Sequence, residues 1–107
     1  MNIITNDNEK NNQALDALKN VIDPEIGLNV VYLGLIYQID YDEAVKKVYC
    51  SMTLTTRFCP MGESISTGVI NALKQTFPAY DVDVKVIFDP PWNSKRITDK
   101  GREILNQ

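Results

Sequence analysis

The stretch KKVYCSMTLTTRFCPMG, Lys46 to Gly62, decides how this chain folds. From Lys46 to Thr55 its residues alternate, with Val48, Cys50, Met52 and Leu54 on one face and Tyr49, Ser51, Thr53 and Thr55 on the other. A period of two marks a strand with one buried face. Beyond the stretch the period changes. Ile65, Val69, Leu73 and Phe77, flanked by Ile70 and Ala72, make a helical stripe over about Pro60 to Phe77. Proline favours the first helical position, where its missing N–H costs nothing. Pro60 is therefore predicted as the first helical residue and Cys59 as its cap. A sulfur placed there faces unpaired backbone N–H groups and the positive end of the helix dipole, which lowers a thiol pKa from its reference of about 8.5. Arg57 adds positive charge nearby. The expected result is an activated thiol at a strand-to-helix junction.

Upstream, Val30 to Asp40 is apolar in its first half and then alternates, which predicts a well-buried strand. The polar connection Asp40 to Ala44 makes it the antiparallel partner of the Lys46–Thr55 strand. Ala14, Leu15, Leu18, Val21 and Ile22 predict an amphipathic helix from Asn12, stopping near Asp23 because Pro24 disfavours helical geometry before it. Asp23-Pro24-Glu25-Ile26-Gly27 reads as a turn. Downstream, Asp81 to Phe88 alternates with Val82, Val84, Val86 and Phe88 inward, and Pro90-Pro91 stops it. A final helix from Thr98 to Leu105, capped by Thr98, is expected to bury Ile97, Ile104 and Leu105. Residues 1–11 show no period and read as a flexible tail, leaving residues 12–107 as a single domain. The order helix, strand, strand, helix, strand, helix predicts an α+β two-layer sandwich. Its sheet has three strands, with helices mainly on one face.

Composition removes several functions. The chain has 107 residues, 44% of them hydrophobic, and a formal net charge of −3, unlike the basic footprint of a nucleic-acid binder. No run approaches the roughly 18–20 apolar residues of a membrane span. Residues 1–8 lack the basic and apolar regions of a secretory signal, so the cytoplasm is the expected compartment and the two cysteines are expected as free thiols. Cys50 shares the phase of Val48, Met52 and Leu54 and reads as core. There is no histidine, which excludes a Cys–His dyad, a Ser–His–Asp triad and histidine-bearing zinc sites within one chain. Without a histidine base or a Cys-x-x-Cys pair, a thiol peroxidase or transferase lacks the partner its nucleophile needs. The expectation is a protein that is not an enzyme.

Three motifs, in order, resemble one family: Asp23-Pro24-Glu25, then Thr53-Leu54-Thr55-Thr56 with Cys59-Pro60, then Phe88-Asp89-Pro90-Pro91-Trp92. Together they are similar to the SufT-like and PaaD-like small domains of iron–sulfur cluster assembly and maturation. The resemblance covers about residues 13–106, and Arg57-Phe58 departs from the family pattern. It implies a non-enzymatic factor that helps deliver iron–sulfur clusters to client apoproteins. Its reactive cysteine matches Cys59, the one expected metal ligand.

The other motif residues carry two readings each. Asp23 and Glu25 either orient a metal-bearing ligand or tune the thiol, or else Asp23 caps the turn while Glu25 is solvated. A carboxylate near the thiol would oppose its ionisation. Thr55 and Thr56 either donate hydroxyl hydrogen bonds to sulfur or end a strand. Asp89 and Trp92 either wall the cysteine site or form a rigid strand exit. A cluster usually takes four thiolates, and each chain offers one exposed sulfur. A homodimer would supply two, and a small thiol, carboxylates or a partner protein the rest. Transient ligation of an iron–sulfur cluster is therefore one expectation. The other is an adaptor that binds assembly proteins and clients without touching metal.

Overall fold

The computed structural model describes residues 3–55 and 62–106. In chain order it forms β1 (Ile4–Thr5), α1 (Asn8–Leu18), β2 (Ile22–Asp23), β3 (Leu28–Asn29), β4 (Ile36–Asp42), β5 (Lys47–Met52), α2 (Gly62–Thr76), β6 (Asp81–Val86), a single 3-10 turn (Ser94–Arg96) and α3 (Asp99–Leu105). One sheet has the order β1-β4-β5-β6, and β2 and β3 make a separate two-stranded ribbon. β4 and β5 are antiparallel, whereas β5 and β6 are parallel with α2 as the crossover between them. The architecture is α+β, as the residue pattern predicts.

The expected faces hold across the sheet. Ile39, Cys50 and Val84 lie in one row, Tyr41, Val48 and Val82 in the next, and Ile36, Met52 and Val86 in a third. The β4 and β5 members are buried, together with Ala14 and Leu18 of α1 and Ile65, Val69 and Leu73 of α2. Gly68 of α2 packs against Val21, just past the end of α1: a Cβ there would meet Val21 Cγ1 at 3.1 Å.

Four expectations need correction. Residues 1–11 are not simply a tail, because Ile4 and Thr5 pair in parallel with Gln38 and Ile39 and add an edge to the sheet. Asp7 caps α1, its side chain accepting from Lys10 N at 3.0 Å, so the helix starts at Asn8 rather than Asn12. The same helix ends at Leu18, not near Asp23. Val21 and the residues after it turn to the β2–β3 ribbon, with Val30 N–H donating to the Val21 carbonyl at 3.0 Å.

The third correction concerns Val30 to Leu35, which precede the strand. Leu33 N–H donates to the Asn29 carbonyl, Gly34 to Val31 and Leu35 to Val30, each at 3.0 Å. Asn29 Oδ1 accepts from Tyr32 N at 2.8 Å, and Gly34 takes φ +76°, so the backbone coils before β4 begins at Ile36. Buried coil and buried strand carry the same apolar composition. Finally, Thr98 does cap α3, accepting from Gly101 N at 3.1 Å, but Ile104 and Leu105 are exposed. Gly101 is the residue that docks, with Leu28, Ile97 and the Tyr32 carbonyl around the place a Cβ would occupy.

Candidate functional site

The end of β5 is held from both sides. Thr53 N–H donates to the Leu35 carbonyl, and Ile87 N–H donates to the Met52 carbonyl, both at 2.8 Å. Leu54 is buried, and across the junction a Cβ on Gly62 would meet Leu54 Cδ1 at 2.8 Å. The first residue of α2 thus closes directly onto the strand end. A side chain at this position would make the Leu54 side-chain end shift. Thr56 and Cys59, with Arg57 and Pro60, lie outside the described residues. The expected capping geometry at Cys59 falls with them.

Asp23 is buried, and its environment is that of a turn residue. Its Oδ1 accepts from Glu25 N at 2.9 Å, and its carbonyl accepts from Gly27 N at 2.7 Å and Ile26 N at 3.3 Å. This arrangement, an aspartate bonding the backbone two residues on, fixes the loop that the sequence predicts. Glu25 projects from that turn into solvent.

Asp89 is exposed and precedes a cis peptide bond to Pro90. Trp92 is half-buried, its indole N–H donating to the Leu33 carbonyl at 2.7 Å. Around it is a clamp that the sequence reading missed. Tyr37 donates its hydroxyl to the Pro90 carbonyl at 2.8 Å. The Arg96 guanidinium lies 4.2 Å from the Tyr37 ring centre, and Arg96 Nε donates to the Gly34 carbonyl at 3.0 Å. A Cβ on Gly34 would sit 2.8 Å from Arg96 Cβ and collide with the Arg96 carbonyl oxygen. An isolated glycine inside an apolar run signals such an approach and would have pointed to it.

One segment joins these parts. Leu28 pairs with Asp23, the Leu33 carbonyl holds Trp92, and the Leu35 carbonyl holds Thr53 at the end of β5. The first and third motifs are therefore fastened, through residues 28–35, to the strand that leads to Cys59.

Cys50 is sealed in the core at 1% exposure, and burial pushes its pKa up to about 12. That fulfils the packing reading of this cysteine. Among the described residues no group of three or more His, Cys, Asp or Glu is arranged to hold a metal ion. No helix among them is long and apolar enough to cross a membrane.

A family model described as "Iron-sulfur cluster assembly protein" matches residues 11–86. The chain belongs to that family. Among its relatives, the Fe-S protein maturation auxiliary factor YitW of Bacillus subtilis is 36% identical over 84 residues, covering 78% of this chain and 81% of the relative. The auxiliary factor SufT of Staphylococcus aureus is 42% identical over 73 residues, covering 67% of this chain and 81% of that protein. A solved structure from Bacillus anthracis, a domain of unknown function, superposes with a TM-score of 0.85 at 32% identity, covering 92% of this chain and 93% of the other. The SufT-like resemblance of the three motifs and the α+β fold both stand on these likenesses.

Proposed function

We propose that this protein assists iron–sulfur protein maturation without catalysing a reaction, carrying a cluster as cargo on the Cys59 thiolate and passing it to client apoproteins. The observation that carries this reading is the burial of Cys50. A chain with two cysteines and no histidine has, once Cys50 is withdrawn into the core, one sulfur left to offer. The maturation role in the names of its relatives supports the part of this reading that concerns iron–sulfur protein maturation.

One thiolate per chain is too few to hold a cluster in the usual four-thiolate manner. Such ligation is completed by a small thiol, a carboxylate or the receiving protein, and a hold of that kind favours hand-over. Glu25 and Asp89 are the exposed carboxylates of the first and third motifs and the ones free to contribute. Asp23 shapes the turn that presents Glu25, and Trp92 anchors the segment that presents Asp89. Thr56 supplies a hydroxyl to sulfur or sulfide. The partners are assembly proteins that load the carrier and apoproteins that unload it.

Anaerobic reconstitution with ferrous iron and sulfide tests the ligation. Wild type and Cys50→Ala should take up iron and sulfide equally, and Cys59→Ser should not. Equal uptake by Cys59→Ser refutes thiolate carriage. If Cys59→Ser also retains its capture of assembly proteins and restores client enzyme activities in cells lacking the protein, the adaptor role replaces it.

A further inference from the structure

β6 has β5 on one side and no strand on the other among the described residues. Two hydrogen bonds fix the phase of its backbone: Asp81 N–H donates to the Lys46 carbonyl and Ile87 N–H to the Met52 carbonyl, each at 2.8 Å. In a parallel ladder, alternate residues direct both N–H and C=O to the same neighbour. Asp81, Asp83, Lys85 and Ile87 therefore bond β5, while Val82, Val84 and Val86 present their backbone groups outward. The valine side chains are half-buried on the core face, and Asp81, Asp83 and Lys85 are exposed on the other. A six-residue edge of this kind is a template for another strand.

We propose that its occupant is β6 of a second copy, paired antiparallel about a two-fold axis at Val84. Residues opposite each other must share a face, so the axis falls on a residue. Centred on Val84, every outward residue meets an outward residue: Val84 meets the partner's Val84, and Val82 meets the partner's Val86. Each such pair exchanges both hydrogen bonds. Asp83 then lies opposite the partner's Lys85 and Lys85 opposite the partner's Asp83, in the close non-hydrogen-bonded positions. Shifting the axis to Asp83 sets that carboxylate against itself, and shifting it to Lys85 does the same with an ammonium. The register with the most backbone bonds is also the one that pairs opposite charges twice without a like pair.

The dimer has a consequence for the cargo. β5 runs parallel to β6, so the two β5 strands leave the seam in opposite directions. Three strand spacings and four residues of rise put the two Met52 positions about 20 Å apart. The two strands that lead in sequence toward Cys59 therefore end on opposite sides of the seam, which favours one cargo site per protomer over a site on the axis. This consequence rests on the proposed function; the interface does not.

Sedimentation equilibrium over a concentration series tests it on the full chain, comparing wild type, Asp83→Lys, Lys85→Asp and the double swap. Wild type should show a reversible dimer that weakens with salt. Each single change sets like charges opposite twice and should weaken dimerisation about tenfold or more. The double swap restores opposite pairs and should recover the wild-type constant. All the altered side chains are exposed, and circular dichroism checks that each variant is folded. A wild type that stays monomeric to millimolar concentration, or single variants that dimerise unchanged, overturns the proposal. The readout involves no metal, so its failure leaves cluster carriage standing, and the reverse holds as well.

Discussion

The division of labour between the two cysteines predicts a large difference in thiol reactivity. Cys50 is 1% exposed, and burial pushes its pKa up to about 12. At about pH 7.5 such a thiol is ionised in roughly three molecules per 100,000, against about one in ten for an ordinary cysteine. Thiolate is the reacting species, so ionisation alone makes Cys50 about three thousand times slower, and the closed packing around it slows it further. The measurement is alkylation by iodoacetamide, followed by mass spectrometry, of Cys59→Ser, which retains only Cys50, and of Cys50→Ala, which retains only Cys59. Native Cys59→Ser should label at least a thousandfold more slowly than Cys50→Ala, and in guanidinium the two rates should converge. If native Cys59→Ser labels within tenfold of Cys50→Ala, either Cys50 is not sealed or Cys59 is not available. In either case the assignment of the working thiol collapses.

The raised Cys50 pKa also makes the fold alkali-sensitive. Its value rises from 9.0 to about 12, so the unfolded chain loses this proton first and stability falls as pH climbs between those values. The full loss is on the order of 4 kcal/mol. Cys50→Val should flatten that part of a urea-denaturation pH series, leaving the share of Tyr41, whose pKa burial also raises. Gly27 and Gly34 both have positive φ, but only Gly34 lacks space for a Cβ. Gly27→Ala should cost about 1–2 kcal/mol in urea melts and Gly34→Ala clearly more; equal costs would show that the Arg96 contact is not rigid. Trp92→Phe keeps most of the ring but leaves the Leu33 carbonyl without its indole donor. It should cost about 1–2 kcal/mol, and no change in melting would mean the bond does not hold the loop.

Much of this organisation is readable in the side-chain periods. The alternation through Val48, Cys50 and Met52 names the buried face of β5, and the α2 stripe names the buried residues Ile65, Val69 and Leu73. Those assignments succeed because one face of a strand or helix must be apolar when the other meets water. The same logic fails at Val30 to Leu35. That segment is buried at every residue but the half-buried Tyr32, so no period separates coil from strand. It fails again at Ile4–Thr5, where two residues gain their place from β4 rather than from any pattern of their own.

The three motifs and the core phase of Cys50 were legible in the linear chain, because residue identity and side-chain period are local properties. The tertiary structure alone decided that Trp92 is tied to Leu33. It also revealed Arg96 bonded to the Gly34 carbonyl, one residue beyond the carbonyl that holds Trp92. These are pairings between residues as many as 62 positions apart, set by backbone carbonyls left unpaired when the chain coils. A side-chain pattern carries no record of where a main-chain acceptor will point.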